Sequence, residues 1–456
     1  MRSVAAAVSG WGRFPVEPAQ LHRPERWSEL AEIVRSAESA RGVISRGLGR
    51  AYGDAASNKN GAVLLHTRFD RLLAFDAASG ALEAEAGISL AELLRVFVPR
   101  GFFLPVTPGT KFVTLGGAIA ADVHGKNHHR DGSLFSALES LRLLTAAGEI
   151  LDCSRAENRE AFLATVGGMG LTGIILSARL RLRPIESAYL RVDQERTRDL
   201  DETLERFASG DDAMQFSSAW IDCLATGRSL GRCVLFRGNW LARAELPAKL
   251  RGAPLRVHRQ RLPSVPIDFP NFTLNRLSMG AFNVAYYAAH PTRLGFAQHY
   301  DSHFYPLDVA HGWNRIWGPR GFVQYQLVVP LESGREALVR VLECCAASGL
   351  GSFLTVLKKF GAGNEAILSF PRPGYTLTLD FAQCGERLVA LARALDRIVL
   401  AHGGRVYLAK DALLDRETFA AMYPEAARFR ALKAQLDPEQ RFSSSLARRV
   451  GLADAR

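Results

Sequence analysis

The sequence is poor in the features that settle a protein's class by themselves. Only six cysteines are spread over 456 residues. None forms a C-x-x-C pair, so neither a disulfide framework nor a zinc module is indicated, and a reducing compartment is the expected setting. No run of about 20 apolar residues is present to span a membrane. The opening MRSVAAAVSGWGRF has too short an apolar stretch for a signal peptide. Without H-E-x-x-H, a Walker A sequence or a kinase signature set, metalloprotease and phosphotransferase readings have no motif to stand on. Repeats and low-complexity linkers are also missing. The 57 Lys and Arg residues are scattered, and with no recognition helix or aromatic-basic RNA motif nucleic acid is not an expected partner.

What remains is an ordinary folded composition, 48% hydrophobic and 23% charged, in a chain long enough for two domains. The net charge of +11 points to anionic company, a phosphorylated substrate or an anionic lipid surface. Residues 27 to 40 have helical spacing with Ser28 as N-cap, and Ser89 caps a second amphipathic helix ended by Gly101. Strand alternation surrounds turns at Ser79-Gly80 and Ala147-Gly148, the second after a stretch, LFSALESLRLL, that reads as helix or strand. After Pro184 the composition shifts, and most of the Trp, Tyr and Cys residues lie beyond it. The rhythm there is strand, helix, strand, strand, helix, which predicts an antiparallel sheet with helices on one face. The end of the chain brings a motif-bearing strand, RVYLAKDA, and then a charged helical tail.

Pro105 to His129, PVTPGTKFVTLGGAIAADVHGKNHH, is the densest stretch. A Pro-Gly turn leads to Gly116-Gly117 and small residues, which let a flat, rigid group approach the backbone. The stretch ends on Asp122, His124, Lys126, Asn127, His128 and His129, groups suited to proton and anion chemistry. A metal site on the three histidines is disfavoured because Gly125 breaks the helix and no carboxylate partner is near. Earlier, Arg46-Gly47-Leu48-Gly49-Arg50-Ala51-Tyr52-Gly53-Asp54 is spaced G-x-G-x-x-x-G, which is not the dinucleotide-binding fingerprint. Its backbone N–H groups, with Arg46 and Arg50, can form a nest for a pyrophosphate, or it can be an ordinary turn. Gln324 and Gln326 share one strand face and, with Lys358, suit a polyol or a phosphate. Lys410 becomes a proton acceptor if burial lowers its pKa.

In this order, GLGRAYGD, PGTKFVTLGGAIAADVHG and VGGMGLTGIIL resemble the flavoproteins of the vanillyl-alcohol-oxidase type. Within that superfamily HGKNHH, FYPLD, GFVQYQLVVP, SFLTVLKKFGAGN, LSFPRPGY, RVYLAKDA and DPEQRFSSSLARR resemble the decaprenylphosphoryl-ribose 2'-oxidase branch, over nearly the whole chain. The resemblance implies an α+β fold of two domains, with an FAD-binding domain at 1–187, a substrate domain at 188–404 and a return of 405–456 to the first. It implies non-covalent FAD, because the position at which many relatives attach the flavin through histidine is Arg50. The implied flavin contacts are Ser45, Arg46, Gly47, Leu48, Gly49, Arg50, Ala51, Tyr52, Gly53, Asp54 and Ala55. Beyond that loop they are Gly109, Thr114, Leu115, Gly116, Gly117, Ala121, Asp122, Val123, His124, Ile175 and Tyr407.

The implied substrate side is His124, Lys126, Tyr305, Gln326, Lys358 and Lys410. Thr376 and Thr378 stand where the branch has an asparagine and an inhibitor-reactive cysteine. The implied reaction transfers the C2' hydride of a polyprenyl-phosphoryl ribose to flavin N5. Lys410, directly or through Gln326, receives the hydroxyl proton while His124 and Lys126 orient the sugar. A partner NADH-dependent short-chain reductase then completes epimerisation to an arabinose donor for cell-wall polysaccharide. A peripheral position on the cytoplasmic or periplasmic face of a membrane follows from such a lipid substrate. An oxidase of another sugar or an alditol is the alternative.

Overall fold

The computed structural model describes residues 3–36, 41–258 and 263–454. Among the described residues three larger sheets organise the chain, beside a two-stranded pair of Phe102–Phe103 with Arg183–Pro184. The first is mixed, in the order Ser3–Ser9, Val16–His22, Ala62–Leu65, Val43–Arg46, and the helix Trp27–Ser36 carries the parallel crossover within it. Ser28 lies inside that helix and does not cap it. Glu29, in the first turn, reaches back instead, its carboxylate accepting from the backbone N–H groups of Glu25 and Arg26 before the helix; residues 37–40 lie outside the described residues. The second sheet is antiparallel, in the order Leu72–Asp76, Ala81–Glu85, Ile174–Arg181, Leu138–Leu144, Ile150–Ser154. The ambiguous LFSALESLRLL resolves into a 3-10 turn, Leu134–Ala137, followed by a strand. Ser89 caps as expected, its Oγ accepting from Glu92 N at 3.1 Å, and Gly101 ends the run with φ +81°.

The third sheet is the scaffold of the site. Its eight strands run Arg293–His299, Tyr189–Thr197, Cys233–Trp240, Phe216–Ile221, Val356–Phe360, Gly374–Ala382, Phe322–Val329, Arg405–Val406, all antiparallel. Alternation divides its centre into two faces. Tyr325, Leu327, Leu357, Leu377, Leu379 and Phe381 point to one side. The helices Leu331–Ser348 and Glu386–Ala401 cover that side with buried residues at helical spacing, Leu338, Val341, Leu342 and Cys345 from one and Leu388, Leu391, Leu395 and Val399 from the other. Each such side chain contributes roughly 1.5–3 kcal/mol on burial. The other face presents Gln324, Gln326, Lys358, Thr376, Thr378 and Asp380, with Gln326 opposite Thr378, Gln324 opposite Asp380 and Lys358 opposite Thr376. A polar sheet face turned inward is the feature that sets this fold up for chemistry.

The tail closes the molecule by returning to the first sheet. Val43 N donates to Arg441 O, and Ser445 N donates to Ser57 O. Among the described residues no helix is long and apolar enough to cross a membrane.

Candidate active site

Two backbone segments converge on the polar face. The first is the helix Leu115–Ala120, which Thr114 caps through its Oγ1, and the turn that follows it. Asp122 sits at φ +40°, a left-handed conformation that swings the chain round to aim His124 at the sheet. The Asp122 carboxylate is fully buried and saturated, accepting from Ser133 Oγ (2.9 Å), Phe135 N (3.1 Å), Asn364 Nδ2 (2.7 Å) and Ser369 Oγ (2.6 Å). Its side chain is therefore a strut between the turn and the 364–369 loop. The second segment is the end of RVYLAKDA. The strand stops at Val406, and a 3-10 turn, Leu408–Lys410, presents the lysine. Tyr407 N donates to Gln326 O at 2.9 Å, and Tyr407 Oη donates to Ala121 O at 2.7 Å. One tyrosine thus joins the sheet, the turn and the lysine.

At the centre, Gln326 Nε2 donates to His124 Nε2 and to Thr376 Oγ1, both at 2.9 Å, and Thr376 Oγ1 donates to Leu327 O at 2.7 Å. The chain of donors fixes the Gln326 amide and makes His124 Nε2 an acceptor, so the imidazole proton resides on Nδ1. Gln326 Oε1 and His124 Nδ1 are buried and have no partner among the described residues. They are the open acceptor and donor of the site, and groups of this kind call for a ligand. Phe360, Phe370 and Tyr407 surround the imidazole at 4.8, 5.6 and 5.2 Å. Burial, helped by the charges of Lys358 and Lys410, holds His124 well below its ordinary pKa, so it is neutral.

Three lysines charge this space. Burial draws Lys126 down to about 8. Burial and the like charges of Lys410 and Lys126 draw Lys358 to about 7. Lys410 falls to about 8 by burial, while the Asp380 carboxylate pulls the other way. Asp380 is itself pushed up to about 7 by burial, against the hydrogen bond from Gln324 and the charge of Lys410. Lys126 Nζ donates to His303 O at 2.5 Å. Lys410 Nζ makes no hydrogen bond among the described residues and lies 5.5 Å from the centre of the Tyr52 ring. Tyr305 Oη and Thr107 Oγ1 are 2.6 Å apart, and Asp308 accepts from Thr110 Oγ1 at 2.7 Å. Asp380, Thr107, Asp308 and the phenylalanines belong to the site although the sequence reading passes over them. Only Asp380 carried a signal, since it alternates with Thr376 and Thr378.

The glycine loop, Ser45 to Ala55, adjoins this centre and is held from both ends of the chain. Ala51 O and Tyr52 O accept from Trp11 N and Gly12 N, and Tyr52 N donates to Ala409 O. A Cβ on Gly53 would stand 2.0 Å from Asp411 O, and one on Gly47 would stand 2.2 Å from Thr114 Oγ1. Arg46 braces the loop through Ser9 O and Ala56 O, and the Arg50 guanidinium stacks 3.8 Å from the Trp11 ring. Asp54 is paired with Arg449. Leu48 is left exposed on the loop. Gly116 serves packing, since an added Cβ would lie 2.8 Å from Ala86 Cβ, whereas Gly109 faces open space. Leu115, Val123 and Ile175 are buried beneath. The cradle of small residues, the open His124 and Gln326 atoms and the desolvated lysines suit a flat anionic cofactor next to an anionic substrate. Gly227-Arg228-Ser229-Leu230-Gly231 does have hydrolase-like G-x-S-x-G spacing, but Ser229 is exposed at the end of a 3-10 turn and not on a strand-to-helix elbow.

Comparison with known proteins agrees with this geometry. Residues 18–154 match the model of the FAD binding domain, and residues 321–450 match that of D-arabinono-1,4-lactone oxidase. The chain is 40% identical to the decaprenylphosphoryl-β-D-ribose oxidase of Mycolicibacterium smegmatis, over 98% of this chain and 97% of that protein. It is 25% identical to the L-gulono-1,4-lactone dehydrogenase of Mycobacterium tuberculosis, over 96% and 98% of the two chains. To the alditol oxidase of a Streptomyces species it is also 25% identical, over 98% and 99%.

Proposed function

Because the chain belongs to the decaprenylphosphoryl-β-D-ribose oxidase family, FAD-dependent oxidoreductases of the vanillyl-alcohol-oxidase type, we propose that it oxidises the 2'-hydroxyl of a polyprenyl-phosphoryl-β-D-ribose to the 2'-keto sugar. The observation that carries this reading is the meeting of three desolvated lysines with a neutral imidazole–amide pair on one buried sheet face. When bound, FAD supplies the hydride acceptor. Lys410, as the free amine, takes the hydroxyl proton. Gln326 Oε1 and His124 Nδ1, the open acceptor and donor, orient the sugar hydroxyls. Lys126 and Lys358 regain full charge beside the substrate phosphate, because an anion favours the ammonium.

FAD is held non-covalently in this reading. The glycine loop contains no histidine, and the resemblance to the vanillyl-alcohol-oxidase type implies Arg50 at the position of flavin attachment. Residues 1–187 form the FAD-binding domain with the returning 405–456, and 188–404 form the substrate domain. The keto product passes to an NADH-dependent short-chain reductase, and the enzyme works at the periphery of a membrane. The match of 321–450 to the aldonolactone oxidase model favours a second reading, oxidation of a free lactone or alditol. Lys410→Ala tests the first at its reactive group. The variant is expected to retain FAD yet form no 2'-keto product, measured by mass spectrometry as loss of two hydrogens from the sugar. Product formation at the wild-type rate would remove Lys410 from the reaction.

A further inference from the structure

The helix Arg276–Ala289 and the loop before it present an apolar surface that no described residue covers. Eight of the seventeen large apolar side chains exposed among the described residues lie between Ile267 and Val309, including all three exposed phenylalanines. On the helix, Leu277, Ala281, Val284 and Ala288 fall on one stripe, and all four are exposed. The opposite stripe packs onto the sheet. Met279 and Asn283 are buried there, and the Tyr286 ring lies 4.5 Å from that of Trp220. No charged residue occurs from Leu277 to Ala289. A helix facing water carries its charges on the outward side, so this outward side is built to meet something apolar.

The sequence around the helix is strongly basic. From Leu246 to Tyr300 the sequence has seven Lys and Arg residues and one acid, Asp268. That acid is already neutralised by Arg13 and Arg315. Arg276 and Arg293 flank the helix and are exposed. The surface is also joined to the site. Val265 N donates to His311 O and Phe269 N to Arg315 O, both at 3.0 Å. The segment immediately before His311 holds Tyr305 and Asp308 against Thr107 and Thr110. A symmetric pairing of two copies through this face would set arginine against arginine.

We propose that this face docks on an anionic lipid bilayer. The Leu277–Val284 stripe and Phe272 enter the headgroup region while the flanking arginines meet lipid phosphates. The substrate's polyprenyl tail then stays in lipid while its sugar reaches the site. The proposal rests on the lipid-linked substrate argued above, and its test separates the two.

Full-length holoenzyme is sedimented with phosphatidylcholine–phosphatidylglycerol vesicles and with pure phosphatidylcholine vesicles. Binding is expected to the first, to be weaker on the second, and to fall at least about tenfold in the double variant Leu277→Glu/Val284→Glu. The same variant should keep its flavin and be bleached by water-soluble farnesyl-phosphoryl ribose at the wild-type rate, which shows that it is folded. Absent wild-type binding, unchanged binding in the variant, or a dimer that the variant dissolves would each overturn the docking face. Vesicle binding without any bleaching of the wild type would overturn the substrate reading and leave the docking face standing.

Discussion

Lys410 accepts a proton only as the neutral amine, and burial brings that form into reach by lowering its pKa to about 8. The acidic limb of kcat/KM for flavin reduction should therefore rise through that region. Asp380 favours the ammonium form, so Asp380→Asn should move the limb to lower pH; a profile that does not move would exclude Asp380 from proton handling. Thr376 acts one step away, as the acceptor that turns Gln326 Nε2 toward His124. Thr376→Val should lower kcat/KM roughly 10- to 100-fold, the worth of about 1–3 kcal/mol for an orphaned polar group, with FAD affinity unchanged. Loss of flavin in that variant would mean Thr376 holds the fold and not the amide. At this scale Gln324, Gln326, Lys358 and Lys410 were legible from alternation and residue chemistry. The phenylalanine cage was not, because Phe360 and Phe370 reach His124 only through strand pairing and loop packing that no local pattern encodes.

Among the elements, the turn that presents Lys410 depends on the tail. Arg449 forks onto Asp54 at 2.6 and 3.0 Å and reaches Asp411 at 2.7 Å, tying the end of the glycine loop to the residue after Lys410. Arg449→Ala leaves two buried carboxylates facing each other without their cation. It should cost about 3 kcal/mol in a denaturant titration and release flavin, because breaking a buried pair strands the remaining charge. Arg449→Lys should restore only part of this, since a point charge cannot make the fork. Full stability in Arg449→Ala would show that the clamp is incidental. The capped helix after Ser89 and the hairpin turns were readable, since their signals are local. Ser28 misled because the helix already begins at Trp27, which puts the serine inside it, and RVYLAKDA misled because a β-rich sequence stops pairing after two residues.

In the whole molecule the candidate site lies where segments far apart in the chain meet. The glycine loop, the Pro105–His129 stretch, the Tyr305 segment, three strands and the tail all reach it. The glycine and small-residue motifs from which the sequence predicts a cofactor bed do lie beside the polar face. Even so, Gly116 and Asp122 serve the protein's own packing. Which strands neighbour one another is a property of the long-range topology, and the polar inner face follows from it. The central claim, oxidation of a lipid-linked ribose, is tested most directly by anaerobic absorbance of the FAD-loaded protein near about 450 nm, where oxidised flavin absorbs. Polyprenyl-phosphoryl ribose is expected to bleach the band within seconds, while free alditols and aldonolactones leave it intact. Bleaching by the free sugars, with none by the phosphoryl ribose, would contradict it.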